Sequence, residues 1–597
     1  MVLQQNDWIF IIGFFIVSIL IGIITSRTAG KSFKDFFLSG RNMPWWLLGI
    51  SMVATTFSAD TPNLVTDIVR QNGISGNWVW WAFLLTGMLT VFVYAKLWRR
   101  SEVLTDLEFY EIRYSGKEAA FLRGFRALYL GVFFNVMIMA TVSLAAIKIG
   151  GVMLGLSPIQ TIFWASVVTV IYSSLGGLKG VMITDFFQFI IAMIGAVWAA
   201  SYIINLPEVG GLDQLLQHEN VVDKLNFLPD FNNWETLIPL LILPLAVQWW
   251  SVWYPGAEPG GGGYIAQRML SAKNEKNAVA ATFLFNVTHY ALRPWPWILV
   301  GLASLVVFPD LASLRDAYPN MDPEMVKHDL AYPAMLTFLP SGLLGLVIAS
   351  LIAAYMSTIS THLNWGSSYV VNDFYKRFLK PEASEKDLVA VGRLSTIVLM
   401  ILAGSLALLL QNALQAFNIL LQIGAGTGLL FILRWFWWRV NAWSEITAMV
   451  VSFLMALYLE LFHVKLLGFE AIDSHWKLLI GVGVTTVAWI LVAVSTPPAD
   501  MKVMMAFIKR INPGGPGWAK VEKEMGLSNE DISNRRKEWD VPRGMLAMML
   551  GVILVYSALF ATGFWIYGNL IPAVLLSSVV IVVGFILAKM VKRISFQ

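Results

Sequence analysis

Cysteine is absent from this chain, and charged residues are scarce. Only 13% of the 597 residues are Asp, Glu, Lys or Arg, whereas 57% are hydrophobic. Without cysteine the chain has no disulfide framework, no thiolate metal site and no cysteine nucleophile. Soluble proteins carry about 25% charged residues, so this composition excludes a water-soluble multidomain protein. The net charge of +4 is small and its basic residues lie in separate loops, which argues against a nucleic-acid partner.

Long apolar runs take the place of the missing charges and recur along nearly the whole chain. Runs of about 18 to 25 residues can each span a bilayer, so we predict an all-α polytopic membrane protein with about fifteen transmembrane helices. The run at 8–25 has no basic residue before it and no cleavage pattern after it, so we interpret it as a helix and not a signal peptide. The predicted helices lie near residues 7–26, 44–71, 77–98, 124–153, 158–176, 180–205, 235–268, 277–308, 337–371, 388–411, 413–438, 443–462, 475–495, 545–567 and 570–591.

Basic and acidic loops alternate along the chain, and cytoplasmic loops are typically the basic ones. With the N-terminus outside, the loops at 27–41, 96–123, 268–276 and 376–386 are inside and hold 17 of the 42 Lys and Arg residues, including Arg268. The loops at 206–235 and 309–336 are mainly acidic and are expected outside. The C-terminus is then cytoplasmic, and we expect a multi-pass protein of the plasma (inner) membrane.

Two of the predicted helices are interrupted. The second is apolar up to Val53, is polar over 54–62 and becomes apolar again, and the seventh is interrupted by the Gly-rich segment 255–263. Lipid tolerates such breaks only where the freed backbone groups face protein or a water-lined cavity. Two breaks five helices apart predict an inverted-repeat secondary transporter with its sites at the midplane. The alternatives are Gly/Pro kinks for packing or, at 255–263, a plain cytoplasmic loop.

Hydroxyl side chains cluster on the ninth predicted helix, at positions 357, 358, 360 and 361. Sodium is a hard cation that takes oxygen ligands, and neutral hydroxyls can hold it without the cost of buried carboxylates. The cluster therefore indicates a sodium site. The alternative is that these hydroxyls bond to their own helix or join neighbouring helices.

Several motifs occur in an order and spacing that are specific as a set. They are Asp35-Phe-Phe-Leu-Ser-Gly-Arg41, Glu108-Phe-Tyr-Glu-Ile-Arg113-Tyr, Tyr172-Ser-Ser-Leu-Gly-Gly-Leu178, Thr184-Asp185-Phe-Phe-Gln188, Gln267-Arg268, Ala354 to Thr361, and Asp373-Phe-Tyr-Lys376. With these motifs the chain resembles the sodium:solute symporter family, which includes sodium-coupled sugar, proline and sialic acid carriers. The resemblance implies a leucine-transporter-type 5+5 inverted-repeat core with extra flanking helices.

That architecture divides the chain into six segments: an N-terminal extra helix and loop (1–43), a first five-helix repeat (44–205), a second repeat (206–440), additional helices (441–495), a cytoplasmic linker (496–544) and a C-terminal helix hairpin (545–597). The linker is expected to contain one short helix around 518–525. We do not assign a role to the segment 255–263 or to the terminal hairpin, and the oligomeric state is open.

The resemblance also implies ion ligands. The main sodium ion would be held by backbone carbonyls of Ala54, Phe57 and Ala354 and by the hydroxyls of Ser357 and Thr358. A second sodium ion would be held by Asp185, Ser357, Ser360 and Thr361, so one or two sodium ions would move per cycle. Independently of the resemblance, a carboxylate in a membrane helix such as Asp185 is a functional-site hypothesis. The alternative is a helix-end Asp185 with access to water.

Candidate solute contacts lie on the helices that face the two breaks. They are Thr56, Asp60 and Thr61 at the first break, Trp253 and Tyr254 at the second, Asn286 and His289 on the eighth helix, and Gln415, Asn418 and Gln422 on the eleventh. Polar groups beside aromatic rings suit a polyhydroxylated solute, so a sugar or polyol is the first expectation. Arg293 would instead suit a carboxylated solute, which keeps an organic anion or an amino acid as the alternative.

A membrane enzyme and a sodium channel or solute sensor are the two alternatives to a symporter. A membrane enzyme would need a nucleophile with its base, a metal cluster or a phosphate loop, and neither HExxH nor GxxxxGK[ST] occurs. A sodium channel or a solute sensor remains open on sequence alone.

Overall fold

The computed structural model describes residues 3–29, 38–56, 58–173, 178–253, 258–464, 466–594 and 596. The regular secondary structure in these ranges is helical, without a β-strand. Helices satisfy their own backbone hydrogen bonds, which is the requirement in a bilayer without water. The prediction of an all-α membrane protein is thus confirmed.

Ten helical spans in the described ranges are long and apolar enough to cross a membrane. They are Ile74–Ser101, Gly116–Leu154, Leu178–Ile204, Glu275–Val307, Leu343–Leu379, Ala390–Ala407, Ala442–Glu460, Ser474–Ser495, Glu530–Ile566 and Leu570–Val591. Other helices occupy the remaining predicted positions: Gln5–Ala29, Trp45–Thr56, Asp60–Asn72, Pro158–Ser173, Gly263–Ser271, Ala413–Ile423 and Gly428–Leu433. All fifteen predicted helices therefore contain helical residues, but the interrupted ones fall below the length of a full span.

The first broken helix consists of Trp45–Thr56 and Asp60–Asn72. The second consists of residues 234–251 and, after the break, Gly263–Ser271. At its break the Trp253 amide donates to the Gly424 carbonyl at 3.1 Å, which joins it to the end of Ala413–Ile423. Both predicted interruptions are therefore present.

The described part of the Gly-rich segment, residues 258–263, packs against the helical span Ile74–Ser101. Gly260 has a φ of +80°, which L-residues with a side chain rarely adopt. Its carbonyl accepts a hydrogen bond from the Trp98 indole at 2.6 Å. Residues 258–263 thus form a turn that contacts the neighbouring helix.

Leu343–Ser368 carries the hydroxyl cluster and packs against Leu178–Ile204 and Trp45–Thr56. This packing places Asp185, the first break and the hydroxyls side by side. The N-terminal helix fastens the same element, because the Asp7 carboxylate accepts from the amides of Gly342 and Gly345 at 2.7 and 2.8 Å.

Residues 496–544 depart from the linker prediction, because they contain three α-helices where one was expected. These are Met501–Ile511, Ala519–Glu524 and Asn529–Glu538. Met501–Ile511 buries Met504, Phe507, Ile508 and Ile511, which lie on one face of the helix. The prediction missed this helix because its apolar positions are periodic but not consecutive. The division of the chain into six segments stays a prediction.

Candidate ion and solute sites

A cavity of about 100 Å³ lies beside the break in the first broken helix. Its wall combines hydroxyls, two imidazoles, two opposite charges and aromatic rings. The lining side chains are Thr55, Thr56, Ser58, Asp60, Thr61, Leu64, Val65, Trp80, Phe83, Ile138, Val142, Tyr264, His289, Tyr290, Arg293, Thr358, His362 and Phe417.

Polar contacts across the cavity connect the two broken helices. Thr56 Oγ1 lies 3.0 Å from the hydroxyl oxygen of Tyr264, which belongs to Gly263–Ser271. Thr56 Oγ1 also donates to the Met52 carbonyl at 2.8 Å. The contact between Thr56 and Tyr264 therefore joins the first broken helix to the second.

Asp60 and Arg293 bring opposite charges to the same cavity and interact electrostatically. Arg293 is 1% exposed and its guanidinium carbon lies 5.2 Å from the centre of the Trp297 ring. A guanidinium buried to this extent is expensive unless it is compensated, which makes Arg293 with the half-buried Asp60 a candidate recognition element.

Asp185 is the centre of a second buried polar cluster. Ser51 Oγ donates to Asp185 Oδ2 at 2.7 Å, and Ser357 Oγ donates to Asp185 Oδ1. Asp185 is 1% exposed, so water does not solvate it as the helix-end alternative required. Two hydroxyls and one carboxylate therefore converge at a depth where each oxygen needs a partner.

Arg268 completes this cluster, although the sequence placed it in a basic loop. Its side chain is 0% exposed. The guanidinium lies 3.4 Å from the Ser51 hydroxyl, 3.4 Å from the Thr55 hydroxyl and 3.3 Å from the Thr361 hydroxyl. Arg268 was misplaced because the break in the second broken helix lies within the protein, so the residues after it return to the interior. A count of loop charges carries no sign of this return.

The two central hydroxyls of the predicted main sodium set face different partners. Thr358 Oγ1 donates to the Thr55 carbonyl at 2.9 Å, beside the first break, whereas Ser357 faces Asp185. Ala54 and Ala354 are each 2% exposed and lie on the two helices that meet here. Phe57 lies outside the described residues. Oxygen atoms prevail in this set, which fits the ligands that sodium takes.

The remaining members of the predicted second sodium set lie one turn further along the same helix. Ser360 Oγ donates to the Ser357 carbonyl at 3.1 Å, and Thr361 accepts from Arg268. Ser360 is thus bonded within its own helix. This is the alternative to ion binding for hydroxyls in a membrane helix.

The structure brings Thr56, Asp60, Thr61 and His289 to the cavity wall. The other solute candidates in the described residues lie elsewhere. Asn286 donates to the Thr282 carbonyl at 2.8 Å, Gln422 donates to the Ser474 carbonyl at 3.1 Å, Trp253 packs on Phe134, Gln415 is exposed, and Asn418 is absent from the lining. Tyr254 lies outside the described residues.

Helix rotation explains the difference on Ala413–Ile423. Phe417 lines the cavity, and successive helical residues are rotated by about 100°. Asn418 therefore points away from the direction of Phe417. The sequence also missed Tyr264 and His362, whose positions depend on how the second broken helix and Leu343–Ser368 pack together. His362 Nδ1 lies 2.6 Å from Asn135 Oδ1, which sets the orientation of its ring.

The fold has the architecture of leucine-transporter-type carriers. The structure aligns with that of a Na⁺-coupled sialic acid symporter in a substrate-bound outward-open state, with a TM-score of 0.63 and 22% sequence identity. The alignment covers 83% of this chain and 99% of that one. This likeness confirms the fold that the motifs implied.

The family follows from a match to the whole transporter core. The model of the sodium:solute symporter family matches residues 36–452, which is more than half of the chain, so the chain belongs to this family. It is similar to the sodium/glucose cotransporter of Vibrio parahaemolyticus, with 26% identity over 472 residues that cover 74% of this chain and 83% of the relative. It is also similar to sodium/myo-inositol cotransporter 2 of Homo sapiens, with 26% identity over 502 residues that cover 78% and 71%.

The protein is therefore a sodium-coupled solute symporter and an integral multi-pass membrane protein. Sodium is its coupling ion. The named relatives are cotransporters, which supports a transporter and not an enzyme.

Proposed function

We propose that the protein imports a small polyhydroxylated solute, a sugar or a polyol, together with sodium by alternating access. The observation that carries this proposal is the cavity at the first break, where threonine hydroxyls and the Tyr264 hydroxyl lie beside the rings of Trp80 and Tyr290. Sugar hydroxyls need paired donors and acceptors, whereas the CH faces of the ring pack on aromatic surfaces. The relatives include cotransporters of glucose and of myo-inositol, which are a sugar and a polyol.

Coupling would depend on elements that the ion and solute sets share. Thr358 lines the cavity and also bonds to the Thr55 carbonyl, so it belongs to both sets. We assign the main sodium ion to Ala54, Phe57, Ala354, Ser357 and Thr358. A second ion would take Asp185, Ser357, Ser360 and Thr361. Each sodium charge that crosses about 100 mV contributes about 2.3 kcal/mol to uphill uptake.

The solute class can be tested on the purified protein. Thermal unfolding in sodium and in potassium buffer, with sugars, polyols, sugar acids and amino acids, should show stabilisation by a neutral sugar or polyol in sodium only. The stabilising compound should then exchange against its gradient in proteoliposomes, which a channel cannot do. Stabilisation by amino acids or sugar acids alone would contradict the proposal of a neutral solute, and an absence of counterflow would contradict transport.

A charged solute is the second candidate because Arg293 and Asp60 line the same cavity. A carboxylated solute would use Arg293, and an amino acid would use both side chains. The two opposite charges offset one another, and for this reason we prefer a neutral solute. A solute that uses Arg293 should lose most of its sodium-dependent uptake in Arg293→Gln while uptake of a neutral sugar, if present, persists.

The absence of cysteine makes the orientation directly testable. We propose that the N-terminus is outside and that the acidic segment 206–235 faces the same side. A single cysteine at the exposed position Asp213 should react with a membrane-impermeant maleimide in intact cells. A cysteine at the exposed position Lys117, in a basic segment, should react only after the membrane is opened. The opposite labelling pattern would invert the proposed topology.

A further inference from the structure

A second cavity, of about 420 Å³, lies at one end of the helical bundle and shares no lining residue with the cavity at the first break. Four basic and two acidic side chains line it together with Asn274, which leaves an excess of two positive charges. They are Arg99, Arg100, Lys273, Arg510, Glu102 and Glu275. We call this cavity the basic cavity.

Part of the positive charge in the basic cavity is already neutralised. Arg100 forms a two-point contact with Glu275, with N–O distances of 2.6 and 3.1 Å. Arg99 donates to the Ala272 carbonyl at 2.8 Å and lies 3.9 Å from Glu102. Lys273 and Arg510 are exposed, and neither has a carboxylate within 4 Å among the residues that the structure describes. These two cations are therefore available to an incoming anion.

Arg41 lies next to the basic cavity, and the positive charges of the cavity act on it. Its guanidinium donates to the carbonyls of Glu102 and Val103 at 2.7 and 2.9 Å. Burial first, and then the neighbouring charge of Arg99, holds the pKa of Arg41 below its usual value; Glu102 and Glu108 act in the opposite direction, and Arg510 adds a smaller lowering. Like charges are crowded here, so an anion would relieve repulsion as well as form contacts.

The basic cavity lies at the level where membrane and water meet. The span Ile74–Ser101 ends there, and the span Glu275–Val307 begins there. Trp45 is 44% exposed, and its amide donates to Asn277 Oδ1 at 3.0 Å. Asn277 in turn donates to Asn274, which lines the cavity. Exposed tryptophans are typical of the headgroup level of a bilayer.

We propose that the basic cavity binds the phosphodiester headgroup of an anionic phospholipid. Guanidinium groups match phosphate oxygens in geometry as well as in charge, and basic pockets between membrane helices suit anionic headgroups. The headgroup would contact Lys273 of the transporter core and Arg510 of the helix Met501–Ile511. It would thereby add a charged contact between the core and the C-terminal segment, beside the Arg100 contact to the Ile511 carbonyl at 3.5 Å.

Lipid binding to the full-length protein in a neutral detergent tests this proposal. Native mass spectrometry should show that phosphatidylglycerol binds in preference to phosphatidylcholine. Lys273→Gln/Arg510→Gln should weaken phosphatidylglycerol binding roughly thirty-fold, because each surface cation contributes about five-fold in affinity. The matched variant Lys117→Gln/Lys502→Gln removes two exposed lysines outside the basic cavity and should bind the lipid as the native chain does.

Competition with inorganic phosphate distinguishes a site for a lipid headgroup from a site for free phosphate. If phosphate displaces phosphatidylglycerol only at far higher concentration than the lipid requires, a lipid headgroup is supported. Displacement at a similar or lower concentration would overturn the lipid assignment, as would equal binding of the two lipids or equal weakening in both double variants. Solute uptake is not the readout, so failure here leaves the proposed transport function untouched.

Discussion

Replacing Arg268 with methionine is expected to abolish sodium-driven uptake and to lower the free energy of unfolding by roughly 3 kcal/mol. The guanidinium is completely buried and contacts the hydroxyls of Ser51, Thr55 and Thr361. Its positive charge also acts on Asp185, which bonds to Ser51. Without Arg268 a buried carboxylate would remain uncompensated, and breaking a buried charge pair is costly for that reason. Thermal unfolding in detergent and uptake into proteoliposomes measure the two effects.

Sodium should affect this variant more than it affects the native chain. If Asp185 and Thr361 can ligate sodium, removal of the guanidinium leaves their oxygens to the ion, so sodium but not potassium should recover part of the lost stability. Arg543→Met removes an exposed arginine and should leave both stability and uptake unchanged. In Arg268→Met/Asp185→Asn the carboxylate charge is gone as well, and most of the stability should return. Native-like stability and uptake in Arg268→Met would show that the cluster does not depend on its cation.

Replacing Thr358 with valine is expected to raise the sodium concentration for half-maximal uptake ten- to a hundred-fold. Valine keeps the shape and removes the hydroxyl that bonds to the Thr55 carbonyl. A polar group that contacts a charge contributes about 1.5–3 kcal/mol to binding, which corresponds to a ten- to hundred-fold change in affinity. Ser357→Ala should have a similar effect on sodium. Sodium titrations of initial uptake at a fixed solute concentration provide the measurement.

The apparent solute affinity should respond differently to replacement of Thr358 and of Ser357. Thr358 lines the cavity at the first break, where we propose that the solute binds, and Ser357 does not, so only Thr358→Val should also change the apparent solute affinity at saturating sodium. Ser350→Ala is the matched control on the same helix, because the Ser350 hydroxyl donates to its own backbone at Val347 O. The assignment of the main sodium site would be wrong if the sodium dependence were the same in Thr358→Val, Ser357→Ala and the native chain.

The helices and their breaks were accessible from sequence because their causes are local. Runs of apolar residues predict spans, and the polar stretch after Val53 and the glycines up to Gly263 predict interruptions within them. Local patterns failed where apolar positions are spaced and not consecutive, as in Met501–Ile511. They also failed for helix faces, so Phe417 and not Asn418 reaches the cavity.

The sites themselves were accessible only in part. Asp185 and the hydroxyls at Ser357 and Thr358 stand out because polar groups are rare and expensive in membrane helices. Ser51, Thr55 and Tyr264 do not stand out, since single hydroxyls occur throughout such helices. Their importance arises from contacts with Asp185, Arg268 and Thr56, which come from other helices.

By itself, the sequence determined that this chain is a multi-pass helical membrane protein with two interrupted helices, and its ordered motifs pointed to a family of sodium-coupled carriers. Those properties follow from composition and neighbouring residues. The tertiary structure alone decided that Arg268 is a buried partner of the Asp185 cluster and that Tyr264 meets Thr56 across a cavity. Such contacts join residues more than 80 positions apart, and their formation depends on how whole helices pack, which no local pattern encodes.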